Sequence, residues 1–368
     1  MHNFAFVLEQ TLGHVAHGLN IERALAREQD IQPAVIRVDF SAPAGLERLP
    51  GLRTWSWRAS IAARNALRDK MQNGPLDAIF IHTQVAALRA VEIMRAVPTV
   101  VSLDATPRLF DRVGEVYGHR RSSDLVEMVK RRLNVRAFAS ATRLVTWCQW
   151  AAYSLVEDYG VPLDKIDVIP PGVDLNLFRP SLLGKSPERV RILFVGGDFE
   201  RKGGHDLLEA AQSLADEVEL DIVTGAGTPS IPAGLRARVH HGLKPQSEKL
   251  VALYRAADIF VLPSRGDCMP QAVIEAIACG LPVVATRVGA IPEMVTDGVN
   301  GYLVPAREPR ALAEAIGALV THQGRRHQMG HHSRVLAKQA YDADQNNRRI
   351  FGLMKRLAAE RMAVARSA

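Results

Sequence analysis

Cysteine is scarce in this chain: Cys148, Cys268 and Cys279 are the only three in 368 residues. Their spacing fits neither a zinc-ligand pattern nor a disulfide framework, so a small cross-linked secreted scaffold is excluded and a reducing compartment is expected. No stretch approaches the roughly 20 consecutive apolar residues of a membrane-spanning helix. The opening "MHNFAFVLEQ" lacks a basic segment ahead of a long apolar core, so no secretory leader is expected. No GxGxxG fingerprint follows the first apolar run, which argues against a nicotinamide-dependent oxidoreductase. Low-complexity tracts and short solenoid repeats are also missing.

What is present is an ordinary globular composition, 47% hydrophobic and 23% charged, enough to build a sizeable core. The length suits about two domains. The net charge of +7 suits an anionic partner such as a nucleotide, an anionic lipid surface or nucleic acid, and equally suits a solvated basic surface. No recognised nucleic-acid module accompanies the charge, so nucleic acid is not expected as a partner.

Short apolar runs alternate with amphipathic segments throughout. Strands are predicted over 4–9, 34–40, 77–83, 98–105, 143–148 and 165–171, with helices over 16–29, 52–71, 84–96, 122–139 and 149–159. The pattern then repeats, with strands over 189–197, 218–226, 238–243, 258–264, 281–286 and 301–305 and helices near 204–215, 247–256, 270–279, 308–321 and 325–340. Such alternation implies parallel sheets covered on both faces, here two doubly wound α/β domains. The Pro- and Gly-rich "PPGVDLNLFRPSLLGKSPE" (170–188) is the natural joint. Ligands of open α/β sheets sit at the carboxyl ends of strands, so the cleft between two such domains is the expected site.

Several segments carry chemistry. In "FVGGDFERKGG" a strand ends in Gly196 and Gly197, a short loop carries Arg201 and Lys202, and a helix begins near Gly204. Glycines let backbone amides approach a ligand, a helix N-terminus favours an anion, and two cations beside it complete a diphosphate cradle. An ordinary turn with a solvated Arg-Lys pair fits the stretch as well. Gly13 and His14 follow the first strand; His14 and His17 have no visible third ligand for a metal. Asp104, in "SLDATP", sits at the carboxyl end of a buried strand, where it either faces the cleft or caps a turn. His82 and Thr83 in "FIHTQ" admit the same two readings. In "PSRGDCMPQAVIEAIACGLPVVAT", Asp267 lies in a loop and Glu275 in a helix begun near Pro270. Two carboxylates so placed can face one ligand and accept hydroxyl pairs, as in ribose recognition.

Taken in order, "FVGGDFERKGGHDLLEA", "KIDVIPPGVDLNLFRP" and "PSRGDCMPQAVIEAIACGLPVVATRVGAIPEMVTDGVNGYLVP" resemble family 4 glycosyltransferases, most strongly over about 143–321. The resemblance implies the GT-B fold, two Rossmann-like domains with a cleft between them. The implied limits are 1–170 for an acceptor-side domain, on which a C-terminal helix of about 345–368 packs back, and 171–344 for a nucleotide-sugar domain. It also implies a retaining, metal-independent hexosyltransferase that needs no cofactor beyond its substrate, a UDP- or GDP-sugar. The acceptor would be a glycan, a lipid-linked molecule or a small molecule. By position, Lys202 with Arg201 would bind the diphosphate, and Asp267 and Glu275 would be the acids of the family's E-x7-E motif. Glu275 would hold ribose and Asp267 the transferred sugar. Gly13, Gly196, Gly197, Met269 and Pro270 would line the donor, and Lys202, Asp267 and Asp104 would act in catalysis.

The chain departs from the family in having Asp267 for the first acid, Gly197 where an arginine is common, and Asp104 near the place of a histidine. A catalytically silent nucleotide-sugar or glycan-binding protein therefore stands as the alternative. No metal site is expected: Asp342-Ala343-Asp344 precedes the last helical pattern and reads as a cap. A cytoplasmic location is expected, with the inner membrane face as a candidate partner. Helical spacing puts Arg53, Arg64 and Arg68 on one face with Trp57 and Ile61, and Lys130, Arg131, Arg132 and Arg136 cluster without an acid.

Overall fold

The computed structural model describes residues 1–11, 13–39, 55–114, 123–181, 189–225 and 227–367. Among them the chain forms two compact units, one within 1–110, 120–171 and 343–368, the other within 111–119 and 172–342.

The first unit holds a parallel sheet of β1 (His2–Glu9), β2 (Ile31–Val38), β3 (Ala78–His82), β4 (Thr99–Leu103), β5 (Arg143–Thr146) and β6 (Ile166–Val168), in the order β2-β1-β3-β4-β5-β6. Every residue of β3 and β4 is buried, as expected for strands covered on both faces. Phe4, Phe6 and Phe80 fill one side with Ile350, Phe351, Met354 and Leu357 of the helix Ala343–Ser367. The Phe6 and Phe351 rings meet edge-on at 5.8 Å. Each such side chain removed from water contributes about 1.5–3 kcal/mol, which is what holds the C-terminal helix to this sheet. Asp344, in the first turn of that helix, pairs with Arg27 at 2.6 Å. That use accounts for the second acid of the Asp-Ala-Asp run.

The second unit repeats the design with β7 (Val190–Val195), β8 (Val218–Thr224), β9 (Ala237–His241), β10 (Ile259–Leu262), β11 (Val283–Thr286) and β12 (Gly301–Val304), in the order β12-β11-β10-β7-β8-β9. All pairings are again parallel. In each sheet the first strand has its successor on one side and a later strand on the other. The order thus reverses at β1/β3 in the first unit and at β7/β10 in the second, the crevices where open α/β sheets hold ligands.

Several strands stop sooner than their apolar runs suggest. β4 ends at Leu103, β5 at Thr146 and β10 at Leu262, whereas Ala105, Trp147 and Ser264 beyond them are still buried. Hydropathy reports burial, and these residues are buried loop leaving the ladder at its carboxyl end. The single helix predicted over 84–96 is two, Gln84–Ala87 and Val91–Ala96. Between them Leu88 and Ala90 donate to the carbonyls three residues back, at 3.3 and 3.0 Å, which tightens the chain out of α geometry.

Candidate functional site

At the β7/β10 crevice the loop after β7 is shaped by glycine. A side chain at Gly196 would press within 2.8 Å of the Lys202 stem, so only glycine lets that lysine cross the turn. Gly203 has φ +75, and a Cβ there would stand 1.9 Å from the Pro263 carbonyl oxygen. The loop after β10 therefore lies directly against the start of the helix Gly204–Gln212. A Cβ at Gly197 would meet nothing within 4 Å, so that glycine borders open space instead.

The two loops are tied by polar bonds. Arg201, 6% exposed, donates to the Gly266 carbonyl at 3.0 Å and pairs with Asp198 at 3.3 Å. The resemblance assigns Arg201 to a diphosphate, and in the structure its guanidinium also holds the acid loop to the cation loop. The Arg265 amide donates to the Arg201 carbonyl at 2.9 Å, and its side chain forks onto Asp206 at 2.7 and 3.2 Å. Gly289, at φ +55, admits the Asp267 carbonyl where a Cβ would be 2.1 Å away.

Within this frame Lys202 Nζ forms an ion pair with Asp267 Oδ2, both side chains largely buried. The structure thus joins two residues that lie 65 positions apart. Pro270 stands just ahead of the helix Gln271–Ala278, and Met269 is buried beside it. Glu275, within that helix, sits against Tyr254, whose ring packs between Phe178 and Phe260. Burial pushes the Glu275 carboxyl up to about 7, with the Tyr254 hydrogen bond working the other way. The two acids of the motif therefore have different surroundings, one ion-paired and one desolvated. Gln271 carries no signal of its own in the sequence. It is 7% exposed, and neither its amide oxygen nor its nitrogen has a partner. A buried unpaired polar group costs about 1–3 kcal/mol, which marks Gln271 as a side chain suited to a polar ligand.

A second constellation lies at the β1/β3 crevice of the first unit. Glu9 ends β1, His14 starts the helix His14–Leu25 just after Gly13, His82 ends β3, Asp104 follows β4 and Trp147 follows β5. His14 Nδ1 is 3.2 Å from His82 Nε2, and its Nε2 is 3.9 Å from Asp104 Oδ2. The rings of His14, His17 and His82 surround Trp147 at centroid distances of 5.0, 5.1 and 5.6 Å. Burial lowers His17 to about 3 and His82 well below its ordinary value, so both are neutral. Burial raises the Asp104 carboxyl, with His14 opposing and Glu9 reinforcing that shift. Thr83 Oγ1 donates to Glu9 at 2.5 Å while its backbone stands at φ 98. A β-branched residue rarely adopts that conformation, and such outliers gather at functional sites. His14, His17, Glu9 and Trp147 gain significance only once these strand ends are brought side by side. Among the described residues no three His, Cys, Asp or Glu side chains are arranged to hold a metal ion.

Residues 189–322 match the family described as Glycosyl transferases group 1, and residues 13–177 match Glycosyltransferase Family 4. A D-inositol 3-phosphate glycosyltransferase of Xylanimonas cellulosilytica is 35% identical over 223 residues, 54% of each chain, so the match spans about half of that relative. A protein of the same name from Paenarthrobacter aurescens is 32% identical over 286 residues, 72% of this chain and 69% of its own. In three dimensions a sucrose-phosphate synthase from Thermosynechococcus elongatus is similar with a TM-score of 0.76, over 98% of this chain and 100% of that one at 17% identity. That last likeness is one of fold.

Proposed function

The chain belongs to family 4 of the glycosyltransferases and has a GT-B fold, and on that footing we propose that it is a retaining, metal-independent glycosyltransferase using a UDP- or GDP-sugar. The observation that carries the reading is the Lys202–Asp267 ion pair at the β7/β10 crevice, beside the glycine turn and the start of a helix. A donor diphosphate placed there draws the Lys202 ammonium, and Asp267 is released to accept hydroxyls of the transferred sugar. As the bond from sugar C1 to the diphosphate oxygen breaks, Lys202 and the helix N-terminus stabilise the developing charge. The acceptor oxygen bonds to C1 from the same face, and its proton passes to the departing phosphate oxygen. Glu275 takes the ribose hydroxyls, and Gly196, Gly197, Met269 and Pro270 line the donor. The relatives' name makes a polyhydroxylated acceptor the working choice.

A transfer assay across UDP- and GDP-sugars, preceded by a thermal-shift screen of the same donors, tests the proposal. Binding raises the melting temperature by mass action. Stabilisation by a donor with neither transfer nor donor hydrolysis would mark the chain as a silent binding protein. Turnover is expected to continue in excess EDTA, because protein cations carry the diphosphate charge. Loss of activity with EDTA and its return with manganese would refute metal independence.

We further propose a cytoplasmic enzyme that associates with anionic lipid. Among the described residues no helix is long and apolar enough to cross a membrane. On the basic face expected around Trp57, Arg89 stacks on that ring at 4.5 Å and Arg68, half exposed, is 3.8 Å from Glu92. Arg53 lies outside the described residues. The second basic stretch does have an acid, since Lys130 pairs with Glu127 at 2.8 Å. Its helix, Asp124–Ser140, nevertheless leaves Leu125, Val126, Met128 and Val129 exposed beside Arg131, Arg132 and Arg136. Apolar side chains flanked by cations suit an anionic bilayer, each basic residue adding about 1 kcal/mol. Co-sedimentation with phosphatidylglycerol vesicles at low salt is expected, with release as salt rises and loss in Leu125→Asp/Val129→Asp. Equal, negligible binding to anionic and neutral vesicles would reject it.

A further inference from the structure

The cluster at the β1/β3 crevice has a chemistry of its own. Its outermost groups are Asp104 and His14, whose side chains are 24% and 14% exposed. Behind them Glu9 accepts hydrogen bonds from the hydroxyls of Thr11 and Thr83. His82 steadies His14 through its Nε2 at 3.2 Å, and Trp147 is pinned by its own indole bond to Ser102 at 3.0 Å. Among the described residues, the titratable neighbours that bear on Asp104 are His14 and Glu9, an imidazole and a second carboxylate. A phosphate brought here would meet two carboxylates. A hydroxyl can donate to Asp104 while its neighbour gives a proton to His14 or takes one from it.

We propose that this crevice selects an unphosphorylated polyhydroxyl acceptor, with Asp104 and His14 receiving adjacent hydroxyls and Glu9, Thr83 and His82 acting as positioning residues. The inference rests on the glycosyltransferase reading and narrows its acceptor. Three observations converge on it. The crevice is where the strand order reverses, the usual ligand position in such sheets. Thr83 is held at φ 98 by its bond to Glu9 and by its amide bond to Ser102 at 2.8 Å, so the fold maintains an unfavourable backbone at this point. Asp104 and His14 come from different strand ends, and both keep an exposed edge. Discrimination arises from repulsion as well as attraction, since a like charge set against Asp104 and Glu9 excludes the wrong acceptor.

The test uses the full chain with acceptors supplied in pairs, myo-inositol with inositol 3-phosphate and glucose with glucose 6-phosphate. In the parent, kcat/KM for the unphosphorylated member is expected to exceed that for its partner by about ten-fold or more. Asp104→Asn should narrow that ratio by about ten-fold, Asp104→Glu should preserve it, and His14→Gln should raise KM for unphosphorylated acceptors. An unchanged melting temperature checks that each variant is folded. A purely structural role for Asp104 would lower all rates and leave the ratio alone. Preference for the phosphorylated members in the parent, or a ratio indifferent to Asp104→Asn, overturns the proposal. If no donor is turned over at all, the glycosyltransferase reading fails by itself, and saturation-transfer NMR with the same pairs reads the crevice. Unphosphorylated members that bind the parent and not Asp104→Asn would then support the site, and failure of the parent to bind any of them would reject it.

Discussion

Lys202→Ala is expected to lower donor turnover on the order of 100-fold, the usual effect of removing one preorganised group from a developing oxyanion. It should also lower the melting temperature. Lys202 is the ion-pair partner of Asp267, whose side chain is only 9% exposed, so the mutation strands a buried carboxylate. Breaking one side of such a pair costs about 3–5 kcal/mol, much of it the orphaned charge and not the pair's net worth. The two effects are separable. Lys202→Ala/Asp267→Asn removes the orphan and should regain most of the lost stability without regaining turnover. Steady-state kinetics with the donor found in the screen, beside melting curves of the two variants, reads both. Turnover close to the parent's in Lys202→Ala would dismiss Lys202 from the chemistry.

Glu275→Gln is expected to change how the protein responds to pH. Burial raises this carboxyl from 4.5 to about 7, so across that window the folded protein holds a proton that the unfolded chain has released. Stability from this group is therefore complete below about pH 4.5, falls as pH rises to about 7, and is lost above it. A shift of this size corresponds to roughly 3 kcal/mol. His17 has the opposite sign: its folded value of about 3 lies below its ordinary 6.5, so its contribution grows as pH rises between them. The difference between parent and variant cancels His17 and leaves Glu275. Denaturant unfolding at several pH values should show Glu275→Gln gaining on the parent by about 3 kcal/mol between pH 4.5 and pH 8. Calorimetry with the nucleoside diphosphate addresses its function. An ionised carboxylate is a stronger acceptor for ribose hydroxyls than a neutral acid or an amide. Affinity should rise through about pH 7 in the parent and stay flat and weaker in the variant. Equal affinity at every pH would make Glu275 a structural partner of Tyr254.

Much of the architecture is written locally in the chain. Runs such as "AIFIH" and "TVVSL" are apolar and rich in β-branched residues, which suits strands covered on both faces, and the segments between them have helical periodicity. Gly196, Gly197, Lys202, Asp267 and Glu275 stand out because glycines at a strand end and acids in an apolar stretch are costly without a purpose. The sequence is less informative at strand ends. Trp147 and Ser264 are as buried as the strands before them, and burial is all that hydropathy reports. Arg201 reads as a ligand cation because its sequence neighbours are a glycine turn and a lysine; its bond to the Gly266 carbonyl, 65 residues away, leaves no local trace.

The two α/β series and the glycine turns are legible in the chain alone, and so are the residues proposed for the donor, since each depends on neighbours within a few positions. What those residues touch depends on the folded arrangement. Crossover packing sets β10 beside β7 and β3 beside β1, skipping the strands between them in the chain. That adjacency joins Lys202 to Asp267, and it sets His14 against His82 across 68 residues. No local pattern encodes such a pairing, because strand order follows from how the covering helices bury their faces against the whole sheet.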